Sequence, residues 1–244
     1  MQPEVSLPLL SVIVPVFNEQ QYIFEVLRRV CLTDVPGVSR ELVVVDDAST
    51  DNTALEVERF ISAHPQFDVR LYRHQNNLGK GGAVQTAIAQ VRGEWLLIQD
   101  ADFEYDPADY PDLVTPLVKG QADVVYGSRF IGSKPHRVLF FYHFMANRFL
   151  TTLSNWFTNL NLTDMETGYK AFRTEIVKPL RLYEKRFGFE PEITAKMSRV
   201  PKVRIYEVGI AYHGRTYEEG KKINWKDGVK AIYYVIKYNT WARR

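Results

Sequence analysis

Short, almost wholly apolar runs recur along the first half of the chain, and they constrain the fold more than any other feature. These runs occupy residues 9–17, 41–45, 94–99 and 123–126, and residues 69–73 form a further strand-like segment. Because a half-exposed strand alternates apolar and polar side chains, near-continuous runs predict strands buried on both faces. Helical patterns separate these strands, as in right-handed βαβ units. We therefore predict an α/β fold with a mostly parallel central sheet flanked by helices.

The second half of the chain is less regular. We predict an aromatic-rich helix over residues 137–161, a turn and strand over 164–173, a helix near 190–199 and a strand over 203–208. No stretch rich in Pro, Gly or Ser separates this half from the first. We therefore expect a single domain over residues 1–244, with halves at 1–130 and 131–244.

Polar segments follow three of the predicted strands. They contain Glu19, the pair Asp46 and Asp47, and the pair Asp100 and Asp102. In a parallel sheet, ligands bind beyond the carboxyl ends of the strands. Residues two apart in an extended backbone project to the same side, so Asp100 and Asp102 predict an oxygen site for Mg²⁺ or Mn²⁺ carrying a diphosphate. The alternative is an acidic turn.

Two segments predict how helices begin. Asn18, with Gln21 three residues later, has the pattern of a capping box. The segment 79–82 (GKGG) lacks the Ser or Thr that follows the lysine of a phosphate-binding P-loop. It also does not fit a G-x-G-x-x-G dinucleotide motif, which follows the first strand of a βαβ unit, because it follows the third strand. A Gly-rich turn that opens a helix is the interpretation we favour. Backbone N–H groups at such a turn would still be able to face a nucleotide.

Two basic, loop-like stretches in the second half are candidates for gripping an anionic group. The first begins at Arg129, and the second contains Arg215 and Lys221 close to Gly214. His213 adjoins the second stretch and is a candidate metal or phosphate contact. The alternative is that both stretches are solvated basic loops, as most such runs are.

Composition excludes several classes of protein. The chain has 31 basic and 29 acidic residues and a formal charge of +2, which is too balanced for a protein held mainly by nucleic-acid phosphates. The single cysteine, Cys31, forms neither an internal disulfide nor a cysteine-based zinc site. The N-terminus lacks a secretory signal pattern, and no window approaches about 18 uninterrupted apolar residues. We therefore expect a cytoplasmic protein that does not cross a membrane.

Aromatic side chains concentrate in residues 138–153 and in the basic tail that follows Tyr212. The first segment has Arg137 and Arg148 beside its aromatic residues, a composition typical of an interfacial amphipathic helix. We therefore expect the protein to dock on a membrane surface. The alternative is that these aromatic residues belong to the core or to a dimer interface.

Several segments together resemble a family 2 glycosyltransferase with the glycosyltransferase A (GT-A) fold. They are residues 11–19 (SVIVPVFNE), 43–53 (VVVDDASTDNT), 77–87, 97–102 (LIQDAD), 122–129 (ADVVYGSR) and 164–173 (DMETGYKAFR). Within that family the chain is most similar to the polyprenyl-phosphate branch, the dolichyl-phosphate mannose and glucose synthases. The features that point there are GSR at 127–129, TGYKAFR at 167–173 and residues 207–221.

The resemblance implies a Rossmann-like fold with a nucleotide-sugar-binding half at 1–130 and an acceptor-binding half at 131–244. It also implies a GDP- or UDP-hexose donor, a divalent metal, inversion at the anomeric carbon and a polyprenyl phosphate acceptor. The donor would contact a set of residues from the strand ends and the Gly-rich turn. They are Pro15, Phe17, Glu19, Asp46, Asp47, Gly79, Lys80, Asp100 and Ala101.

The resemblance assigns the metal and phosphate contacts as well. Asp100 and Asp102 form the D-x-D motif, Glu104 completes the metal shell, and His213 is a further candidate ligand. The expected catalytic residues are Asp102 together with the cations that hold the acceptor phosphate and the donor diphosphate. These cations are Arg129, Arg215 and Lys221.

The chain departs from the family at two points. Phe17 stands where relatives often have tyrosine, and the acidic motif that usually supplies a base is missing, with Glu190 and Glu192 the nearest substitutes. A phosphate monoester is mostly dianionic near neutral pH, its second pKa being about 6, so it attacks without a base. Two other functions remain open: transfer to a saccharide with Glu190 or Glu192 as the base, and nucleotide-sugar binding without catalysis.

Overall fold

The computed structural model describes residues 7–132, 134–138, 140–215 and 225–242, and the side chains of the last helix from residue 228 onward. These residues form a seven-stranded sheet with the order β3-β2-β1-β4-β6-β5-β7. The strands are β1 (Leu9–Val16), β2 (Ser39–Asp46), β3 (Val69–Arg73), β4 (Trp95–Ile98), β5 (Val124–Ser128), β6 (Lys170–Arg173) and β7 (Ile205–Gly209). Strand β6 runs antiparallel to β4 and β5, and the other pairs are parallel. The predicted α/β fold with a mostly parallel sheet is confirmed.

Helices cover both faces of this sheet. They are α1 (Ile23–Leu32), α2 (Thr53–Ala63), α3 (Lys80–Gln90), α4 (Tyr110–Val118), α5 (Phe141–Thr158), α6 (Thr174–Val177), α7 (Phe189–Met197) and α8 (Trp225–Asn239). In β1, Val12 and Val14 pack into the core under α1, α2 and α4, whereas Ile13 packs into the core under α3 and α7. Burial on both faces is why the strand sequence is almost continuously apolar.

Helices α5 and α8 pack against each other at one side of the sheet. Their shared cluster contains Leu150 from α5 and Ala231 and Val235 from α8, together with Met165. Helix α8 was not predicted from its basic and aromatic sequence. Among the described residues, no helix is both long enough and apolar enough to span a bilayer.

The loop after β1 differs from the sequence prediction. Helix α1 begins at Ile23 with no side-chain cap, and Asn18 has a φ of 53° instead of capping a helix. The Asn18 side chain accepts a hydrogen bond from the backbone N–H of Thr50 at 2.8 Å. Asn18 therefore joins the loops that follow β1 and β2, both at the carboxyl edge of the sheet.

Candidate active site

A cavity of about 1530 Å³ opens beyond the carboxyl ends of β1, β4 and β5. Most of the residues predicted for the site line it: Pro15, Phe17, Glu19, Asp47, Gly79, Lys80, Asp100, Ala101, Asp102, Glu104, Arg129 and Arg215. Lys221 lies outside the described residues. The cavity continues between α5 and α8, where its walls are mostly apolar.

Three carboxylates lie at the end of β4, and one arginine faces them. Nη2 of Arg215 donates a hydrogen bond to Oδ2 of Asp102 at 2.8 Å, and the backbone N–H of Arg215 donates to Glu104 at 3.0 Å. Burial, together with the negative charges of Asp100 and Glu104, raises the pKa of Asp102 to about 7, against the opposing effect of Arg215. The acidic charge at this point therefore exceeds the positive charge that compensates it.

This donor set fits a hard divalent cation. Carboxylate oxygens are the ligands that Mg²⁺ and Mn²⁺ prefer, and a cation would relieve the repulsion that raises the pKa of Asp102. Within the described part of the chain, no three acidic, His or Cys side chains are arranged to hold an ion by themselves. Such a site matches Mg²⁺ chemistry, in which one or two carboxylates share the ion with substrate phosphates.

Lys80, the first residue of α3, provides a cation beside the D-x-D motif. Its Nζ lies 2.7 Å from Oδ1 of Asp100 and 3.9 Å from Oε1 of Glu190. Although burial lowers the pKa of Lys80, the charges of Asp100 and Glu190 outweigh that effect and raise it. Lys80 is therefore charged and fixed where the β4 strand ends.

The Gly-rich turn before Lys80 is held by Asp47. The Asp47 carboxylate accepts hydrogen bonds from the backbone N–H groups of Leu78 at 2.8 Å and Gly79 at 2.6 Å. Gly79 has a φ of 90°, and a Cβ there would come within 2.5 Å of the carbonyl oxygen of Lys185. Glycine is therefore required at this position for both backbone conformation and space.

Asp46 and His213 are placed differently from the other predicted residues. The Asp46 carboxylate accepts a hydrogen bond from the backbone N–H of Ser49 at 3.1 Å and does not line the cavity. The side chain of His213 is exposed and also lies outside the cavity lining, whereas its backbone N–H donates to the carbonyl oxygen of Glu104 at 2.9 Å. Both residues therefore organise loops around the cavity in this structure.

Arg129 is held by Asp164, which was not singled out from the sequence. Nε and Nη2 of Arg129 donate to the two Asp164 oxygens at 2.6 and 2.7 Å, and Asp164 is fully buried. The Arg129 guanidinium also lies 5.1 Å from the ring centre of Tyr212. A guanidinium fixed in this way presents its remaining N–H groups in a defined orientation.

Glu166 and Glu190 line the cavity, and the buried Lys170 of β6 contacts Glu190. The buried Nζ of Lys170 forms an ion pair with Glu190 and a hydrogen bond to the carbonyl oxygen of Thr167. Glu166 was not identified from the sequence. Its buried Oε1 has no hydrogen-bond partner among the described residues, and burial together with the charge of Glu190 raises its pKa to about 7.

Glu192 stabilises the loop before α7. Its two carboxylate oxygens accept hydrogen bonds from the backbone N–H groups of Tyr183 and Glu184, and Lys196 lies 2.9 Å away. Glu192 is fully buried and does not line the cavity. Of the two carboxylates that were considered as a base, only Glu190 reaches the cavity.

Comparison with known proteins reveals consistent similarities. The family model "Glycosyl transferase family 2" matches residues 11–181. A dodecaprenyl-phosphate galacturonate synthase from Rhizobium johnstonii is 30% identical over 213 residues, which are 87% of this chain and 61% of that protein. A dolichol-phosphate mannosyltransferase from Pyrococcus furiosus is 27% identical over 93% of this chain and 64% of its own length. The chain therefore spans about three fifths of the length of these relatives.

A solved structure has the same fold. Glucosyl-3-phosphoglycerate synthase from Mycobacterium tuberculosis, crystallised with Mn²⁺, UDP and glucosyl-3-phosphoglycerate, superposes with a TM-score of 0.70 at 20% sequence identity. The match covers 94% of this chain and 79% of that one. The GT-A fold expected from the sequence motifs is confirmed.

Proposed function

The chain belongs to glycosyl transferase family 2, and from that premise we propose that it transfers a hexose from a nucleotide sugar to a polyprenyl phosphate. The donor is of the GDP-mannose or UDP-glucose type, and the transfer inverts the anomeric carbon and requires Mg²⁺ or Mn²⁺. The proposal rests on one observation: the same cavity is lined by the acidic residues at the end of β4, by Arg129 and Arg215, and by the apolar residues of α5 and α8. These three regions match a metal-bound diphosphate, a phosphate acceptor and an isoprenoid chain.

The donor would bind at the carboxyl edge of the sheet. Pro15 and Phe17 line the end of the cavity next to β1, which supports their assignment to the base and ribose. One or two of the carboxylates of Asp100, Asp102 and Glu104 would hold the cation together with the diphosphate. When bound, the cation neutralises charge that develops on the departing nucleoside diphosphate. Lys80 would contribute a further positive charge at the same phosphates.

The acceptor phosphate would bind between Arg129 and Arg215. A dianionic phosphate oxygen needs no proton removed before it attacks, so the protein has to supply orientation rather than a base. Two planar guanidinium groups are suited to that task because each binds two phosphate oxygens at once. Glu190 is the candidate base for a hydroxyl acceptor, but its carboxylate is already paired with Lys170.

The isoprenoid chain would occupy the extension between α5 and α8. Its walls contain Phe144 and Leu150 of α5 and Val229 and Ile232 of α8. Apolar walls favour a hydrocarbon over a saccharide because burial removes the hydrocarbon from water. The rest of the lipid tail, beyond this extension, would remain in the bilayer, so the protein would work as a peripheral protein on the cytoplasmic face of a membrane.

The test is an acceptor competition. Purified protein would be incubated with radiolabelled GDP-mannose or UDP-glucose, Mn²⁺, and either undecaprenyl phosphate or dolichyl phosphate in detergent, with an oligosaccharide in parallel. We expect label in the lipid extract, none in the oligosaccharide, and loss of both label transfer and nucleoside diphosphate release on adding EDTA. Label in the oligosaccharide would favour a saccharide acceptor with Glu190 as base. Donor binding without any turnover would indicate a nucleotide-sugar-binding protein.

A further inference from the structure

Glu166 differs from the other carboxylates that line the cavity. The others each form a hydrogen bond or an ion pair with a protein group; they are Glu19, Asp47, Asp100, Asp102, Glu104 and Glu190. Oε1 of Glu166 is buried and has no such partner among the described residues. Proteins rarely leave a buried carboxylate oxygen unsatisfied, because desolvation of that oxygen is then uncompensated. Because Glu166 lines the cavity, the hydrogen-bond donor that pairs with this oxygen is expected to arrive with the substrate.

The chain segment that carries Glu166 joins the two phosphate-binding regions. Two residues before it, Asp164 fixes Arg129. Two residues after it, Gly168 passes so close to Asp100 that an added Cβ would lie 2.3 Å from Oδ2 of that carboxylate. The segment therefore connects the arginine proposed for the acceptor phosphate with the D-x-D motif proposed for the donor diphosphate.

The charged groups around Glu166 also belong to both the donor end and the acceptor end of the cavity. The charges of Glu190 and Lys170 both act on Glu166, and Glu190 also lies 3.9 Å from Lys80 at the donor end. Arg129 acts on it as well, at the acceptor end. Glu166 thus lies within electrostatic reach of both ends of the reaction path.

We propose that Glu166 binds the hexose that is transferred and accepts hydrogen bonds from its hydroxyl groups. This inference rests on the proposed function. In an inverting transfer the acceptor oxygen attacks from the side opposite the departing diphosphate, so the hexose lies between the two phosphate groups. In its ionised form Glu166 can only accept hydrogen bonds, and sugar hydroxyls are donors that fit it. Hydrogen bonds from hydroxyls to an ionised carboxylate are among the stronger ones in proteins.

Substitution of Glu166 distinguishes a substrate-binding role from a structural role. A carboxylate that supports the fold would lose its hydrogen bonds when replaced, and the melting temperature would fall. A carboxylate that waits for a substrate hydroxyl leaves the unliganded fold unchanged, or slightly more stable, when it is replaced. Glu166→Ala and Glu166→Gln therefore report on the role of Glu166 before any substrate is added. Glu175→Gln is the matched control, because Glu175 lies on α6, has a side chain 68% exposed and pairs with Arg173.

The experiment compares ligands that differ only by the hexose. Calorimetric titrations with Mn²⁺ would measure binding of GDP and GDP-mannose, and of UDP and UDP-glucose, to wild type, both Glu166 variants and the Glu175 control. We expect Glu166→Ala to lose about tenfold or more in affinity for the nucleotide sugar that wild type binds, and Glu166→Gln to lose less. Affinity for the matching nucleoside diphosphate and the melting temperature should match wild type.

Three results would overturn the inference: equal losses for nucleotide sugar and nucleoside diphosphate, no loss for either, or a melting temperature that falls by several degrees. These outcomes are distinct from failure of the proposed function. If wild type bound no nucleotide sugar, the proposed donor would be wrong and the assignment of Glu166 with it. If wild type bound the donor but transferred nothing to polyprenyl phosphate, only the acceptor would be wrong, and the selective loss in Glu166→Ala would still stand.

Discussion

Arg215 and Asp102 bind each other through a 2.8 Å hydrogen bond between Nη2 and Oδ2. One is the cation proposed to hold phosphate, and the other is the carboxylate proposed to hold the metal. Their pairing partly neutralises the acidic cluster when no ligand is present. A divalent cation that arrives with a diphosphate would compete with the guanidinium for Asp102 and leave Arg215 next to the phosphate oxygens. The pair thus links metal binding to phosphate binding.

Arg215→Ala should therefore bind Mn²⁺ more tightly than wild type in the absence of nucleotide. We expect a gain of about threefold, the size of a partly exposed ion pair, because the competing cation is gone. Calorimetric titration or electron paramagnetic resonance of free Mn²⁺ would measure it. Unchanged or weaker metal binding in this variant would contradict a metal site at Asp102.

The same substitution should reduce turnover. A lysine presents one point charge where the guanidinium presents a planar fork, so Arg215→Lys should be much slower than wild type and Arg215→Ala slower still. The melting temperature of Arg215→Lys should match wild type, because the lysine keeps a positive charge beside Asp102. Equal rates in all three would mean that Arg215 is a solvated loop residue.

Asp102→Asn should reduce turnover by about a hundredfold or more while the fold survives. The amide keeps the shape of the side chain but removes the charge that holds a hard cation. Steady-state rates over a range of Mn²⁺ concentrations would separate weaker metal binding from a slower chemical step. The control is Asp34→Asn, at an exposed position outside the cavity lining. A wild-type rate and metal dependence in Asp102→Asn would refute the assignment.

Asp164→Asn should destabilise the protein, unlike the variants above. Asp164 is fully buried, and its loss would leave the largely buried guanidinium of Arg129 without a counter-charge. Breaking a buried ion pair in this way costs about 3–5 kcal/mol. Chemical denaturation would measure the change in the free energy of unfolding. A combined Arg129→Leu and Asp164→Leu protein should recover part of the loss, and no recovery would argue against coupling of the two residues.

The strands were predictable from the sequence because each buried strand is visible as its own run of apolar residues. The bounds of β3 were predicted exactly at Val69–Arg73, and β1 ends one residue before the predicted Phe17. The Asn18 cap was wrong because a contact with Thr50, 32 residues away, outweighs the local capping pattern. The antiparallel placement of β6 between β4 and β5 was not predictable either, because it depends on pairing between strands that are distant in the sequence.

The site residues also divide into those that a local sequence pattern reveals and those whose role depends on contacts in the folded chain. Asp100 and Asp102 were found from their spacing after a strand, which is a local pattern. Asp164 and Glu166 were missed because their significance depends on what surrounds them: a guanidinium in one case and an unpartnered buried oxygen in the other. A sequence signal for both exists in hindsight, since they lie in the segment 164–173 that carries the family resemblance.

Exposed apolar residues, several of them aromatic, line the cavity near the ends of α5 and α8. Phe141 is 67% exposed and Tyr142 is 85% exposed at the start of α5, and Val138 is 89% exposed just before it. On the facing helix, Val229 is 57% exposed. Arg137 lies beside this surface and lines the same cavity. An apolar surface with an arginine at its margin is suited to the interface of a bilayer that contains anionic lipids.

Replacement of Phe140 and Phe141 by Ser should therefore weaken membrane binding without unfolding the protein, because both side chains are exposed. Co-sedimentation with liposomes would measure binding, which should rise with the fraction of anionic lipid and fall with added salt, as expected for cations near a charged surface. Leu55→Ser is the matched control, since Leu55 is 59% exposed on α2 and lies outside the cavity lining. If wild type stays in the supernatant with anionic liposomes at low salt, the protein does not dock on membranes, and a soluble acceptor becomes the better hypothesis.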